Sequence, residues 1–416
     1  MSEKSRMTRR EFVHRSATAA AVVGALGAPA VNVLGANETI NVGVIGPGGR
    51  GRYLMNEIKG IAGVRITAVA DIYEGWRRRG VEIAKQTAPE VKPYDHYSKI
   101  LEDKDLDAIV IATPEHAHWR MVVDAVEAGY DVYCEKPMVH TWKQGKAVVE
   151  ANQKAKRIIQ VGTQRRSTDI YQQAARLVQS GAIGQVTQVR AFWYRNSKDD
   201  DPQWRYEIPK DASEQNINWH AFLMGAPQRP FDLHRYFQWR CYWDYSNGIG
   251  GDLMVHQVDI INMVMGSQMP SAVSAMGKIL RFHEFGRETP DTWSAVLEYP
   301  GGFYINYNSI FGNEHYGFGE QFLGQSGTIE VVGDNLMRIY PEGQGMKKVE
   351  AREVKAQASG TRPHLENFFE CVRTRQKPNC DEVQGYCGAT AAYMATLSYF
   401  KRKVVRWDEA KQEIVS

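Results

Sequence analysis

The stretch Ile40-Asn41-Val42-Gly43-Val44-Ile45-Gly46-Pro47-Gly48-Gly49-Arg50-Gly51 decides the fold of this 416-residue chain. Ile40–Ile45 is an apolar run of strand length, and it ends in glycines spaced G-x-G-x-x-G. Helical spacing follows at Tyr53, Leu54 and Ile58. A second apolar run, Val64–Ala70, stops at Asp71, 20 residues after Gly51. Glycines there let the backbone turn tightly and approach a pyrophosphate, whose charge meets the N-terminus of the helix. An acid at this distance is placed to accept hydrogen bonds from the adenosine ribose. Gly46, Gly48, Gly49, Arg50, Gly51 and Asp71 are therefore candidate cofactor-binding residues. The carboxylate of Asp71 favours NAD, because it repels a 2′-phosphate. Arg77 and Arg78 follow closely and keep NADP open, or else form a solvated helix face.

Further apolar runs at 108–112, 131–134 and 158–161 alternate with helical patterns at about 116–129 and 141–155. This repetition predicts a doubly wound parallel α/β sheet over residues 37–162. Helical spacing through Ile170, Ala174, Leu177 and Val178 comes next, then a strand from Gln185 to Tyr194. Later alternation at 271–282, 292–299, 302–310 and 327–340 predicts a mostly antiparallel sheet in an α+β domain spanning 163–416.

Upstream, Thr8-Arg9-Arg10-Glu11-Phe12-Val13 opens an Ala- and Gly-rich interval without charge between Arg15 and Glu38, containing Ala28-Pro29-Ala30. A basic start, a weakly apolar stretch and a small-residue exit make residues 1–36 a secretory signal, and the paired arginines resemble the twin-arginine type. So much Ala and Gly argues against a stable membrane span. The expectation is export by the twin-arginine machinery to the periplasm or beyond. That route carries folded proteins, so a cofactor would be loaded first and held tightly.

The formal net charge is +3, and residues 1–36 carry five basic against two acidic side chains. The remaining chain is neutral and offers no charge-based case for nucleic-acid binding. Five cysteines, with no CxxC among them, give neither a disulfide framework nor zinc spacing. They read as buried thiols.

Thr113-Pro114-Glu115-His116-Ala117-His118 follows the third long apolar run, and Glu135-Lys136-Pro137 ends the next. With these motifs the chain resembles the family of glucose–fructose oxidoreductase, inositol 2-dehydrogenase and MocA, from about residue 40 onward. The resemblance implies a Rossmann domain and an open sheet domain used for oligomer contacts, hence a homo-oligomer. It implies that Thr113, Pro114, His118, Glu135, Lys136 and Gln164 contact the cofactor, with Pro137 after a cis peptide. Lys136 would face both nicotinamide ribose and substrate hydroxyl. By itself Lys136 reads as a solvated strand-end lysine, and the resemblance is what makes it functional. Glu115 replaces the family's usual Asn, a departure at the ribose contact.

Residues 191–245 hold five of the ten tryptophans, Trp193, Trp204, Trp219, Trp239 and Trp243, with Arg195, Arg205, Arg229, Arg235 and Arg240. Flat rings stack on sugar faces, and arginine grips hydroxyls or an acid. A loop stapled by its own aromatics, or an oligomer contact, has the same composition. Tyr194, Trp243 and Arg165 are candidate substrate-binding residues.

A glycine-rich entry, 246–251, leads into a helix carrying Asp252 and His256, four apart and so on one helix face. On residues alone they read as a helix cap and a structural histidine. The resemblance makes them substrate-pocket residues, with Lys136, Asp252 and His256 as the catalytic set. His256 would accept the hydroxyl proton, Lys136 polarise that oxygen, and Asp252 orient His256 or hold a neighbouring hydroxyl.

The expected function is hydride transfer between tightly bound NAD(P) and a hydroxyl of a sugar, cyclitol or glycoside. The alternatives are an NAD-dependent glycosidase, which oxidises transiently, eliminates and re-reduces, and a non-catalytic sugar-binding protein.

Overall fold

The computed structural model describes residues 39–345 and 347–415, so the segment read as an export signal lies outside the described residues. Strands β1 (Ile40–Ile45), β2 (Val64–Ala70), β3 (Lys92–Tyr94), β4 (Ala108–Ile111), β5 (Asp131–Cys134) and β6 (Ile159–Val161) form one sheet. Its order is β3-β2-β1-β4-β5-β6, and every pairing is parallel. Val42, Val44, Ile109, Val110 and Val132 are fully buried. Such continuous apolar runs suit strands covered on both faces. The connections supply helices α1 (Gly49–Ile58), α2 (Glu74–Ala84), α3 (Glu115–Glu127) and α4 (Trp142–Ala155). Strand order reverses between β1 and β4, which opens a crevice at the carboxyl ends.

The second sheet has ten strands, beginning with β7 (Val186–Tyr194), β8 (Ala272–Lys278), β9 (Thr292–Tyr299), β10 (Phe303–Ile310) and β11 (Phe318–Gly324). It continues with β12 (Gly327–Val332), β13 (Leu336–Pro341), β14 (Arg352–Lys355), β15 (Val405–Asp408) and β16 (Glu413–Val415). The order is β14-β13-β12-β11-β7-β10-β9-β8-β15-β16. Only β7 and β10 pair in parallel. Helices α5 (Asp169–Gln179), α6 (Val255–Met265) and α8 (Glu382–Lys401) lie with this domain, while Met276, Val296 and Tyr304 stand exposed on the sheet's outer face. The helix between, α7 (Thr361–Thr374), returns to the first domain, where Leu365, Phe368 and Phe369 share a core with Ile40, Val42 and Val44.

The run expected at 327–340 is two strands, β12 and β13, turning through Gly333 at φ +60°. None of the five cysteines forms a disulfide, and all are buried.

The aromatic stretch after β7 crosses to the first domain. Tyr73 forms an isolated bridge with Ile217, and the Asn218 N–H donates to the Ile72 carbonyl at 3.0 Å. Tyr73, Trp76, Tyr236 and Phe237 pack edge to face. The excursion thereby roofs the carboxyl end of the parallel sheet.

Candidate active site

The glycine turn is built as the spacing requires. Gly46 has φ +84°, and a Cβ there would come within 2.9 Å of the Ala112 backbone. A Cβ on Gly51 would lie 2.1 Å from the Gly46 carbonyl oxygen, so this glycine lets α1 pack against β1. Gly48 and Gly49 face open space, at the N-terminus of α1 where backbone N–H groups and the helix dipole favour an anion. They line a cavity of about 600 Å³ with Arg50, Asp71, Thr113, Pro114, His118, Glu135 and Lys136. Asp71 accepts from the Tyr73 N–H at 2.8 Å. Burial pushes its carboxyl up to about 7, against the Tyr73 N–H and Arg77. Tyr236 and Phe237 of the excursion also line the cavity.

Where the cavity meets the second domain, polar groups from distant parts of the chain converge. The Lys136–Pro137 peptide is cis. Lys136 Nζ donates to Asp252 Oδ1 at 2.8 Å and to the Asp252 carbonyl at 2.6 Å. Arg240 Nε donates to the same Oδ1 at 2.9 Å, and Trp204 Nε1 to Oδ2 at 3.0 Å. Burial alone would raise the Asp252 carboxyl, but Lys136, Arg240 and Arg195 hold it well below the usual range. Burial lowers the Lys136 ammonium, against Asp252. His256 is 6% exposed, its ring 5.5 Å from that of Trp193. Burial, then Lys136 and Arg165, push its pKa well below the ordinary value, so the imidazole is neutral. Its Nδ1 has no hydrogen-bond partner among the described residues.

The family profile described as "Oxidoreductase family, NAD-binding Rossmann fold" matches residues 40–163, and that of the "GFO/IDH/MocA C-terminal domain" matches 221–335. Inositol 2-dehydrogenase 1 of Saccharopolyspora erythraea is 33% identical over 298 residues, 71% of this chain and 74% of that protein. The chain belongs to the Gfo/Idh/MocA oxidoreductase family. Inositol 2-dehydrogenase of Salmonella typhimurium is 34% identical over 161 residues, 38% of this chain and 47% of the relative. The chain thus spans about half the length of that Gfo/Idh/MocA relative. Among solved structures, levoglucosan dehydrogenase in complex with NADH and levoglucosan has a TM-score of 0.70 at 17% identity. The match covers 89% of this chain and 99% of that one, a likeness of fold.

The residues of this Gfo/Idh/MocA cleft fit NAD: an open glycine cradle for the pyrophosphate, and Asp71 at ribose distance along the sheet. Several expected roles change. Arg50 Nε is paired with Glu135 Oε1 at 2.7 Å. Both ring nitrogens of His118 face backbone carbonyls, of Pro137 at 2.8 Å and Thr113 at 2.7 Å. A neutral ring donates to one of these carbonyls, so His118 braces the loop while its ring lines the cavity. Glu115, in place of the family Asn, accepts from the N–H and Nδ2 of Asn247 and ties that loop to the Asp252 segment. Gln164 is not part of the cavity wall, and its Oε1 is buried without a partner among the described residues.

At the substrate end three candidates fall elsewhere. Tyr194 lies on the outer sheet face against Phe192 and Tyr316, and its neighbour Trp193 is the ring that reaches His256. Side chains alternate along a strand, so a one-residue difference changes the face. Arg165, 2% exposed, is held by Glu320 at 2.7 and 3.0 Å and by Asp334 at 2.7 Å, and it reaches His256 only through its field. Trp243 packs on Tyr399 and Phe400 of α8. Asp252 does not orient His256. Residues 250–254 form a π-turn ahead of α6, and the wider turn breaks the four-residue alignment of an α-helix. The carboxylate turns instead to Lys136, Arg240 and Trp204. The density of arginine and tryptophan marked this excursion, but nothing in the sequence singled out Arg240 or Trp204.

Proposed function

We propose that this chain is an NAD-dependent dehydrogenase for a hydroxyl of a sugar, cyclitol or glycoside, exported through the twin-arginine route with its cofactor tightly held. One observation carries the catalytic part: Lys136, at the end of β5, meets Asp252 of the other domain at the cleft's inner end, beside a neutral His256. The inositol 2-dehydrogenase relatives support a polyol substrate. Bound NAD supplies the hydride acceptor. The chain's own residues supply alignment and proton movement.

A hydroxyl carbon releases hydride only as its oxygen loses a proton. Asp252 fixes the Lys136 ammonium, which donates to the substrate oxygen and favours its alkoxide character. The neutral His256 imidazole accepts the proton. Its depressed pKa keeps it unprotonated, and so free to accept, through the working range. Tyr206 and Trp239 line the cavity and offer aromatic faces to a ring, while buried Trp204 holds Asp252 from behind.

His256→Ala is expected to lower turnover by ~10²–10⁴-fold, the usual contribution of a positioned base, while acid treatment still releases NAD from the purified protein. Equal loss of turnover and of bound NAD would make the histidine structural and overturn its role. An NAD-free supernatant from wild-type protein would overturn the retained-cofactor part, and delivery to the periplasm after Arg9→Lys with Arg10→Lys would overturn the export route.

A further inference from the structure

The five arginines of the excursion do different work. Arg229 and Arg235 both pair with Asp244, and Arg235 also with Glu288. Arg205 lies over Phe285 and donates to the Asp200 carbonyl. Arg240 stacks on Trp239 at 4.1 Å while binding Asp252. Arg195 differs. Its guanidinium lies 5.5 Å from the Trp193 ring centroid, and among the described residues no carboxylate comes within ion-pair distance of it. It is half-buried and close enough to Asp252, Tyr206 and Tyr307 to act on each electrostatically.

Three cations, Lys136, Arg240 and Arg195, thus gather around one carboxylate, and two of them share a single oxygen of it. The other acids close by do not balance the third. Glu115 faces only the neutral Asn247 amide and acts on Lys136 and Arg240, but burial pushes its carboxyl up to about 7, so near neutrality it answers them in part; Glu135 is taken by Arg50, and Glu207 stands exposed at the cavity mouth. Uncompensated cations in a half-buried pocket are costly unless a ligand brings the opposite charge. Trp193 is stacked on Phe318 at 4.6 Å, and the ring so fixed supports the Arg195 guanidinium with His256 beside it.

We infer that the substrate is a sugar or cyclitol bearing an anionic group, a carboxylate or a phosphate ester, which Arg195 receives while Lys136 and His256 address the hydroxyl to be oxidised. This deepens the dehydrogenase reading and rests on it. Arg195 is the specificity-determining residue, because its fork binds either anion in bidentate fashion.

The test uses full-length, NAD-loaded protein and follows absorbance of the bound nicotinamide. The panel comprises neutral hexoses and inositols, the matching hexuronates, and hexose 6-phosphates. The expected result is a kcat/KM at least ten-fold higher for an acid-bearing member than for its neutral counterpart. R195Q should reduce that ratio at least ten-fold, and R195K should restore part of it. Preference for hexuronates identifies a carboxylate, and preference for the 6-phosphates a phosphate ester. A neutral sugar as the best substrate, or an acid preference untouched by R195Q, overturns the inference and leaves the dehydrogenase standing. No response from any panel member overturns both.

Discussion

Asp252→Asn probes the convergence at the cleft most directly. The side chains of Lys136, Asp252 and Arg240 are 10%, 12% and 20% exposed, so solvent screens them little. Removing the charge from one member of a buried pair costs ~3–5 kcal/mol, because the partner charge stays desolvated and unanswered. Asparagine keeps one oxygen for Lys136 and Arg240, which returns about 1 kcal/mol of neutral hydrogen bonding. The new amide then points a donor at the Trp204 Nε1–H, where Oδ2 accepted at 3.0 Å. The net loss is about 3 kcal/mol, or roughly a 5–10 °C lower melting temperature for a domain of this size. Function reports separately. Asp252 resists the downward push of burial on Lys136, so its removal lets the ammonium lose its proton at lower pH. The alkaline limb of kcat/KM should therefore move to lower pH in D252N, with bound NAD unchanged. The assay is a thermal melt of NAD-loaded protein beside a pH profile of turnover. A melt within 1 °C of wild type, together with an unmoved alkaline limb, would refute the claim that this carboxylate holds the cations.

Gly51→Ala should abolish NAD retention and destabilise the fold, because its Cβ would sit 2.1 Å from the Gly46 oxygen; an NAD content equal to wild type would count against the close-packing role. Trp204→Phe should lower stability by about 1.5–3 kcal/mol through loss of a hydrogen bond to a charged acceptor and reduce kcat more than NAD content, read by melt and turnover. Buried His116 is pushed down to about 3 by burial. Its neutral form therefore adds stability that is complete above the unfolded value of ~6.5 and is lost as pH falls toward the folded one, at up to about 1.4 kcal/mol per pH unit. His140 and His364, pushed down to about 4, act with the same sign, whereas Asp71 and Glu115, pushed up to about 7, oppose them by losing stability as pH rises from ~4 to 7. H116Q should accordingly show a shallower fall of melting temperature between pH 6.5 and 4, and a slope equal to wild type would exclude His116 as a contributor.

The dinucleotide half is legible in sequence because its determinants are local. Strand, glycine turn, helix and acid follow one another, and each constrains the next through backbone geometry alone. Lys136, Asp252 and His256 were reachable through their motifs, yet their mutual arrangement was not. Helical spacing supposes an α-turn at 250–254, where the backbone makes a π-turn. Tyr194 and Trp193 differ by one position on β7, and only the register against β10 and β11 shows which faces α6. The pair Arg165–Glu320 accounts both for the substrate role expected of Arg165 and for β11 (Phe318–Gly324), a strand outside the runs of alternation at 271–310 and 327–340. Arg165 looks like a free cation near the motifs because its partner lies 155 residues away. Glu320, in turn, places a charge on the inward face of β11, flanked by Gly319 and Gly324, and so hides that strand from any search for apolar alternation. Neither residue is anomalous once both are seen. Each breaks its local pattern because the other compensates it, and a compensation between elements leaves no trace in the spacing within either. The same logic runs the other way at Arg195: a cation whose local context is ordinary stands out only when Glu135 is followed to Arg50 and Asp252 to Lys136 and Arg240.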